Sequence, residues 1–368
     1  MRLAPTGRGV LDGLTFAVKD NIDVAGSVSG AGNPDWRAGS PPAVDSAPCV
    51  QALLAAGASL AGRTISDELA FSLEGRNTWD GTPVNPAVPD GLPGGSSSGS
   101  AVAVACGAVD FALGTDTGGS VRVPASFCGI YGFRPSHGRV PLTGVVPLAP
   151  SYDTVGWFAR SAELLARVGS VLTGGSVNVP VRQVVVAEDA FALMTVVDRA
   201  ALLAVAPAGA SSCQVFGGDP GEWLECYRVV QGFEIWRGLG AWIERTRPRF
   251  APDIAARFAD AAGITQPTFE AMLPARARLA SYARALVPVG TALVMPSAPG
   301  SALRMDVSGE AVGAFYRSAL ALTSVAGHAG LPQVSVPVAG ARGPLGLSIV
   351  GWAGGDAAVL AMAAAVSG

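Results

Sequence analysis

The sequence predicts an α/β protein: a single α/β/α domain with a central mixed, largely parallel twisted sheet covered by helices. Two observations carry this expectation. Apolar runs of strand length alternate with helically spaced apolar positions, beginning with a β–α–β pattern over residues 14–64. The composition, 49% hydrophobic and only 14% charged over 368 residues, supplies a large core and argues against disorder.

Residues 14–18 read as a short buried strand, and Asn21-Ile22-Asp23-Val24-Ala25-Gly26 as the turn leaving it, so Lys19 stands where strand meets loop. Asp45, Ser46 and Pro48 supply capping chemistry ahead of Val50, Leu53 and Leu54 at helical spacing, and Gly57 is placed to end that helix. Ser59–Thr64 then returns to strand. A crossover of this kind favours parallel strands in a sheet covered on both faces.

Residues 77–93 contain Pro83, Pro86, Pro89 and Pro93 and read as a surface loop of a length that often borders an active site. Residues 101–106 are expected as a buried helix behind Ser96, with Cys106 in the core, and residues 111–114 as a strand. A helix with a turn follows over 161–175, then a strand over 181–187, then mostly helical patterns. Between 223 and 249, Trp223, Tyr227, Val230, Phe233, Ile235, Trp236, Leu239 and Trp242 recur at steps of three and four. This spacing suits a core-packing helix pair, and its functional alternative is an aromatic wall of an acyl pocket. Residues 293–297 read as a strand running into a loop, 334–337 with 345–351 as a hairpin, and 356–366 as the last helix. Within the single domain 1–368, the expected parts are a catalytic core over 14–160, a helical pocket-shaping region over 190–290, and a C-terminal part over 291–368 that completes the sheet.

The net charge of −3 offers no electrostatic footprint for nucleic acid or an anionic membrane, and small neutral substrates suit it better. Cys49, Cys106, Cys128, Cys213 and Cys226 are odd in number and lack CxxC or zinc spacing, which fits reduced packing thiols. The N-terminus lacks the apolar core of a secretory signal, and no apolar run reaches the roughly 20 residues that span a bilayer. The expectation is a cytoplasmic enzyme with no membrane partner. No phosphate loop or metal-ligand spacing is present, so no cofactor and no metal are expected. A homodimer is compatible with the sequence, which sets no oligomeric state.

The chemistry concentrates in Gly94-Gly95-Ser96-Ser97-Ser98-Gly99-Ser100 and Gly114-Thr115-Asp116-Thr117-Gly118-Gly119-Ser120-Val121-Arg122. Glycines before a serine let the backbone turn sharply and bring successive N–H groups to a reacting oxygen. Ser120 is therefore the candidate nucleophile, and the amides of Thr117, Gly118, Gly119 and Ser120 are candidates for an oxyanion hole. Neither histidine, His137 or His328, sits in a triad motif, and both are expected to be structural or surface residues. Lys19 is the only lysine of the chain and ends an apolar run. Burial there lowers its pKa and allows it to accept a proton. Asp116 and Arg122 flank the nucleophile and are expected to pair in support of its loop.

These blocks resemble the amidase signature family, through Phe16-Ala17-Val18-Lys19-Asp20, the two serine segments, Phe127-Cys128-Gly129, Gly132-Phe133-Arg134-Pro135 and Asp153-Thr154-Val155-Gly156. Weaker similarity returns over 326–337. Within that family, Gly32-Asn33-Pro34-Asp35-Trp36, Arg134-Pro135-Ser136-His137-Gly138 and residues 153–160 are most similar to compact indole-3-acetamide hydrolases. The resemblance implies the amidase signature fold and a Ser-cisSer-Lys triad of Ser120, Ser96 and Lys19, with Ser96 bridging the other two. It also implies hydrolysis of a small-molecule amide to acid and ammonia, with indole-3-acetamide or a similar aryl-acetamide as the best substrate. Alternatives are another amide, carbamate or urea derivative, or an amidotransferase-like subunit that needs a partner. Many members carry a helical segment ahead of the first strand that this chain is expected to lack.

Overall fold

The computed structural model describes residues 1–175, 179–207 and 209–367. Ala208, inside the expected helical region, and Gly368, at the end of the expected C-terminal part, lie outside the described residues. In chain order the elements begin with β1 (Thr15–Lys19), α1 (Pro34–Gly39), α2 (Pro48–Ala55) and β2 (Ser59–Thr64). The serine segments contribute α3 (Ser98–Ala105), β3 (Phe111–Asp116) and α4 (Arg122–Cys128), followed by β4 (Tyr131–Arg134), β5 (Thr154–Ala159) and α5 (Ala162–Leu172). Next come β6 (Gln183–Ala187), α6 (Glu188–Phe191), α7 (Val196–Leu203), β7 (Ser211–Cys213), α8 (Pro220–Thr246), α9 (Pro252–Ala262) and α10 (Gln266–Leu286). The chain then forms β8 (Thr291–Pro296), α11 (Glu310–Ala329), β9 (Gln333–Val338), β10 (Leu345–Val350) and α12 (Asp356–Ser367).

Among the described residues ten strands join one mixed sheet in the order β2-β1-β3-β5-β4-β9-β10-β8-β6-β7. Parallel ladders lie at its two ends, β2/β1/β3 and β8/β6/β7, and antiparallel pairings run through its middle. The β1–α2–β2 crossover and the β9/β10 hairpin form as their sequence patterns predict.

Strand alternation sets which side chains meet the catalytic segment. Phe16 and Val18 of β1, with Phe111 and Leu113 of β3, enter a core shared with α2, α5 and α12. Ala17 and Ala112 point the other way and pack with Ala101 and Val104 of α3. Small side chains on that face let α3 lie close to the strands. A second large core is built by α8, α9, α10 and α11.

Three expectations change. Helix α2 begins on Pro48 with Ala47 as its N-cap and no side-chain capping bond, because Ser46 Oγ instead accepts from the Ala25 amide at 2.9 Å. Cys106 is exposed, since α3 ends at Ala105 and the chain turns outward there. The aromatic-rich stretch is one 27-residue helix, α8, and not a pair. Asp219 caps it, accepting from the Gly221 amide, and Pro220 occupies the first turn. Among the described residues no helix is long and apolar enough to cross a membrane.

Trp157 of β5 is fully buried, lies 4.9 Å from the Phe133 ring by centroids, and donates from Nε1 to Leu165 O of α5 at 2.9 Å. Trp157→Ala is expected to cost about 3–5 kcal/mol of stability, the range for deleting a buried aromatic. Urea unfolding measures this, and a loss below about 1 kcal/mol would show that β5 and α5 are not held through this side chain.

Candidate active site

Lys19 is the last residue of β1, and strand parity places its side chain with Ala17 on the α3 face. It is fully buried, and Nζ donates to Ser96 Oγ at 2.7 Å and to Thr115 Oγ1 at 2.9 Å. Both contacts are neutral hydroxyls, and no carboxylate forms an ion pair with it among the described residues. Desolvation therefore dominates, and the amine is brought down to about 7, with Asp67, Asp116 and Asp153 opposing the shift from a distance. Burial acts oppositely on Asp67, raising that carboxyl above its ordinary range. Asp67 Oδ2 accepts from the Gly75 amide at 2.9 Å, and its own amide donates to Ser96 O at 3.2 Å.

The Gly95–Ser96 peptide bond is cis. Ser96 is fully buried, and α3 starts two residues beyond it. Ser120 lies on the turn between β3 and α4, with its carbonyl accepting from the Ser97 amide at 3.2 Å. The structure thus brings Lys19 and Ser96 into direct contact and sets Ser120 on the adjoining loop. No hydrogen bond joins the Ser96 and Ser120 hydroxyls.

Asp116 organises the nucleophile loop. Its Oδ1 accepts from Gly119 N at 3.0 Å, Arg122 Nη2 at 2.7 Å and Arg134 Nη1 at 3.0 Å. Its Oδ2 accepts from Val121 N and Arg122 Nε, both at 3.0 Å. All three charged side chains are fully buried, and the two guanidinium groups hold the Asp116 carboxyl well below the usual carboxylate range against the opposing penalty of burial. Gly119 has φ +118°, a conformation that favours glycine, and it turns its amide onto Asp116. That is a departure from the expected oxyanion set, because the Gly119 N–H is already taken. The amides of Thr117, Gly118 and Ser120 have no acceptor among the described residues.

Arg134 and Asp153 carry no expected role in the sequence, yet both bind the nucleophile loop. Arg134 donates to Asp116 O at 2.7 Å and to Tyr152 O at 2.7 Å, and Asp153 Oδ1 accepts from Thr117 Oγ1 at 2.6 Å. The signal that could have found them is a charged residue at or next to the end of a mostly apolar strand, since burial of such a group demands a partner. His328 is buried, with its ring bonded to Tyr152 Oη and Trp223 O, and burial lowers it to about 4. His137 bonds to Pro150 O at the surface. Neither histidine is hydrogen-bonded to Ser96 or Ser120.

Ser120, Thr117 and Gly118 line a cavity of about 160 Å³. Its walls include Phe71, Leu148 and Ile264, with Tyr227 and Gln231 from α8. Among the described residues no group of three His, Cys, Asp or Glu is arranged to hold a metal ion.

A family model described as Amidase matches residues 3–214. The chain is 39% identical over 393 residues to Amidase 1 of Arabidopsis thaliana, spanning 96% of this chain and 92% of that protein. It is 35% identical over 381 residues to the translocon at the outer membrane of chloroplasts 64 of Pisum sativum, spanning 94% of this chain and 64% of that protein. A solved structure described as the crystal structure of an amidase superposes with a TM-score of 0.87 at 31% identity, over 98% of this chain and 85% of that one.

Asp116→Asn is expected to destabilise the protein by about 3–5 kcal/mol, because it strands two buried guanidinium groups. The folded-state pKa of Asp116 is depressed, so its contribution is present above the unfolded value near 3.8 and is lost as pH falls below that. Wild type and variant should therefore differ at pH 7 and converge on acidification. Equal denaturation midpoints at pH 7 would contradict this.

Proposed function

We propose, from the premise that this chain belongs to the amidase family and is an amide-hydrolysing enzyme, that it cleaves a small primary amide to the carboxylic acid and ammonia through a Ser120 acyl-enzyme. The observation that carries the reading is the chain's only lysine, buried without a paired carboxylate and bonded to Ser96 Oγ. A buried amine with hydroxyl partners is poised as a base near neutral pH.

In this reading neutral Lys19 draws a proton through Ser96 from Ser120, whose Oγ attacks the amide carbonyl carbon. The carbonyl π electrons move to oxygen, and the amides of Thr117, Gly118 and Ser120 stabilise the oxyanion. Gly119 shapes the loop, and Asp116 with Arg122 fixes it so that the donors are in place before reaction. Collapse of the tetrahedral intermediate expels the nitrogen, which takes its proton from Ser96 and leaves as ammonia. Water, deprotonated by the same relay, then attacks the ester carbonyl and releases the acid and free Ser120.

The best substrate is indole-3-acetamide or a similar aryl-acetamide. The cavity beside Ser120 is walled by Phe71, Leu148 and Ile264, which suits a flat ring. A volume of about 160 Å³ is on the scale of a cavity that accepts benzene. The cytoplasmic setting expected from the sequence belongs to the same proposal.

Ammonia release from a panel of primary amides tests it. Ser120→Ala and Lys19→Ala should each lower kcat by about 10³-fold or more. Activity should fall as pH drops below about 7, because Lys19 then gains the proton that it must accept from Ser96. A Ser120→Ala enzyme of full activity would remove the nucleophile assignment, and a pH profile flat down to pH 5 would remove Lys19 as the base. Turnover confined to amides without an aryl group would discard the substrate.

A further inference from the structure

Most polar side chains of the cavity are already engaged or stand at its mouth. Arg257 donates to Glu74 at 3.2 Å and lies over the Tyr316 ring, Ser72 Oγ and Tyr316 Oη bond each other, and Thr117 Oγ1 is bonded to Asp153. Arg228 and Asp260 are exposed. Apart from the Ser120 nucleophile, two side chains remain, Tyr227 and Gln231, and both are buried. The buried Tyr227 hydroxyl has no hydrogen-bond partner among the described residues, and the Gln231 side-chain amide, without a protein partner among them, keeps some exposure where it lines the cavity. They stand four residues apart on α8, on one face and about 6 Å apart along the helix axis.

Their positions differ with respect to the nucleophile. A Cβ on Gly118 would collide with Tyr227 Oη, so this hydroxyl lies directly against the nucleophile loop. The Tyr227 ring is held edge-on by Tyr152, with centroids 4.9 Å apart, and near His328 at 6.2 Å. Gln231 lies one turn further along α8, in the same cavity. A buried hydroxyl without a partner, such as that of Tyr227, is costly unless a ligand satisfies it, and a cavity-lining amide such as that of Gln231 is free to bond one.

We infer that Tyr227 and Gln231 form a two-point gauge for substrate, with the Tyr227 hydroxyl binding the reacting carboxamide and Gln231 binding an N–H or O–H donor further along the acyl group. The substrate class is therefore primary amides whose ring carries such a donor, as an indole nitrogen or a phenol does. This rests on the proposed amide hydrolysis and deepens it. A pocket that hydrogen-bonds a substrate donor rejects the analogue lacking it far more strongly than an apolar pocket of the same shape, because the loss leaves a buried group unpaired.

The test compares kcat/KM for matched pairs: indole-3-acetamide against benzothiophene-3-acetamide, and 4-hydroxyphenylacetamide against phenylacetamide. The wild-type enzyme should favour the donor-bearing member of at least one pair by about 10²-fold or more. Gln231→Leu should cut that preference below about tenfold by slowing only the donor-bearing substrate, whereas Gln231→Glu, which keeps an acceptor, should retain it. Tyr227→Phe should slow both members of a pair alike without lowering Tm, since it deletes a hydroxyl with no partner in the fold. A wild-type preference below about tenfold in both pairs, or one that survives Gln231→Leu, overturns the inference. If only the phenyl pair is turned over, the indole-3-acetamide reading fails while that pair still decides the role of Gln231. Silence on both pairs overturns the gauge, and Ser120→Ala on any active amide then judges the hydrolytic reading separately.

Discussion

The buried Asp116 carboxylate, gripped by Arg122 and Arg134, is the interaction on which the catalytic region depends. It gathers backbone amides on both sides of Ser120 and ties β3 to α4 and β4. Arg122 extends the network to Thr323 O of α11 at 2.8 Å and to Gln333 Oε1 of β9 at 2.6 Å. Arg134 extends it to Tyr152 O. Each guanidinium has several acceptors, which is the condition under which burying such groups is tolerable. The loop that presents Ser120 is consequently fixed by side chains from four separate parts of the chain.

Around this network the fold divides its labour between two faces. On one, large apolar side chains from the strands meet α2, α5 and α12. On the other, the alanines of β1 and β3 let α3 approach, so that the amine of Lys19 reaches Ser96 with no water-filled gap to restore its hydration. The same closeness that packs the helix lowers the pKa of the lysine, so packing and acid–base chemistry share one cause.

Helix α8 joins core and cavity. Trp223, Val230, Ile235 and Leu239 enter the second core, while Tyr227 and Gln231 reach the space beside Ser120. Tyr227 does both, packing in the second core and lining the cavity. Tyr227 and Gln231 are one turn apart on α8, and the helix backbone hydrogen bonds hold them in a fixed relation to each other.

The sequence by itself determined the elements whose signals are local: β1 and β2 with their crossover, the Ser161-capped α5, the β9/β10 hairpin and the glycine-rich serine segments. It also singled out Lys19, Ser96 and Ser120, because a lone lysine at the end of an apolar run and two glycine-flanked serines are unusual without any partner in view. Helix α4 was not legible, since Arg122-Val123-Pro124 reads as a breaker although a proline is tolerated in a first helical turn. Neither was α11, whose buried, alanine-rich C-terminal half carries little periodic contrast. Tertiary structure alone decided that Arg134 and Asp153 bind the nucleophile loop, that the Gly119 amide is taken by Asp116, and that Tyr227 and Gln231 face the cavity without partners. Those outcomes depend on which distant segments meet and which polar groups they leave unsatisfied, and no local propensity encodes that.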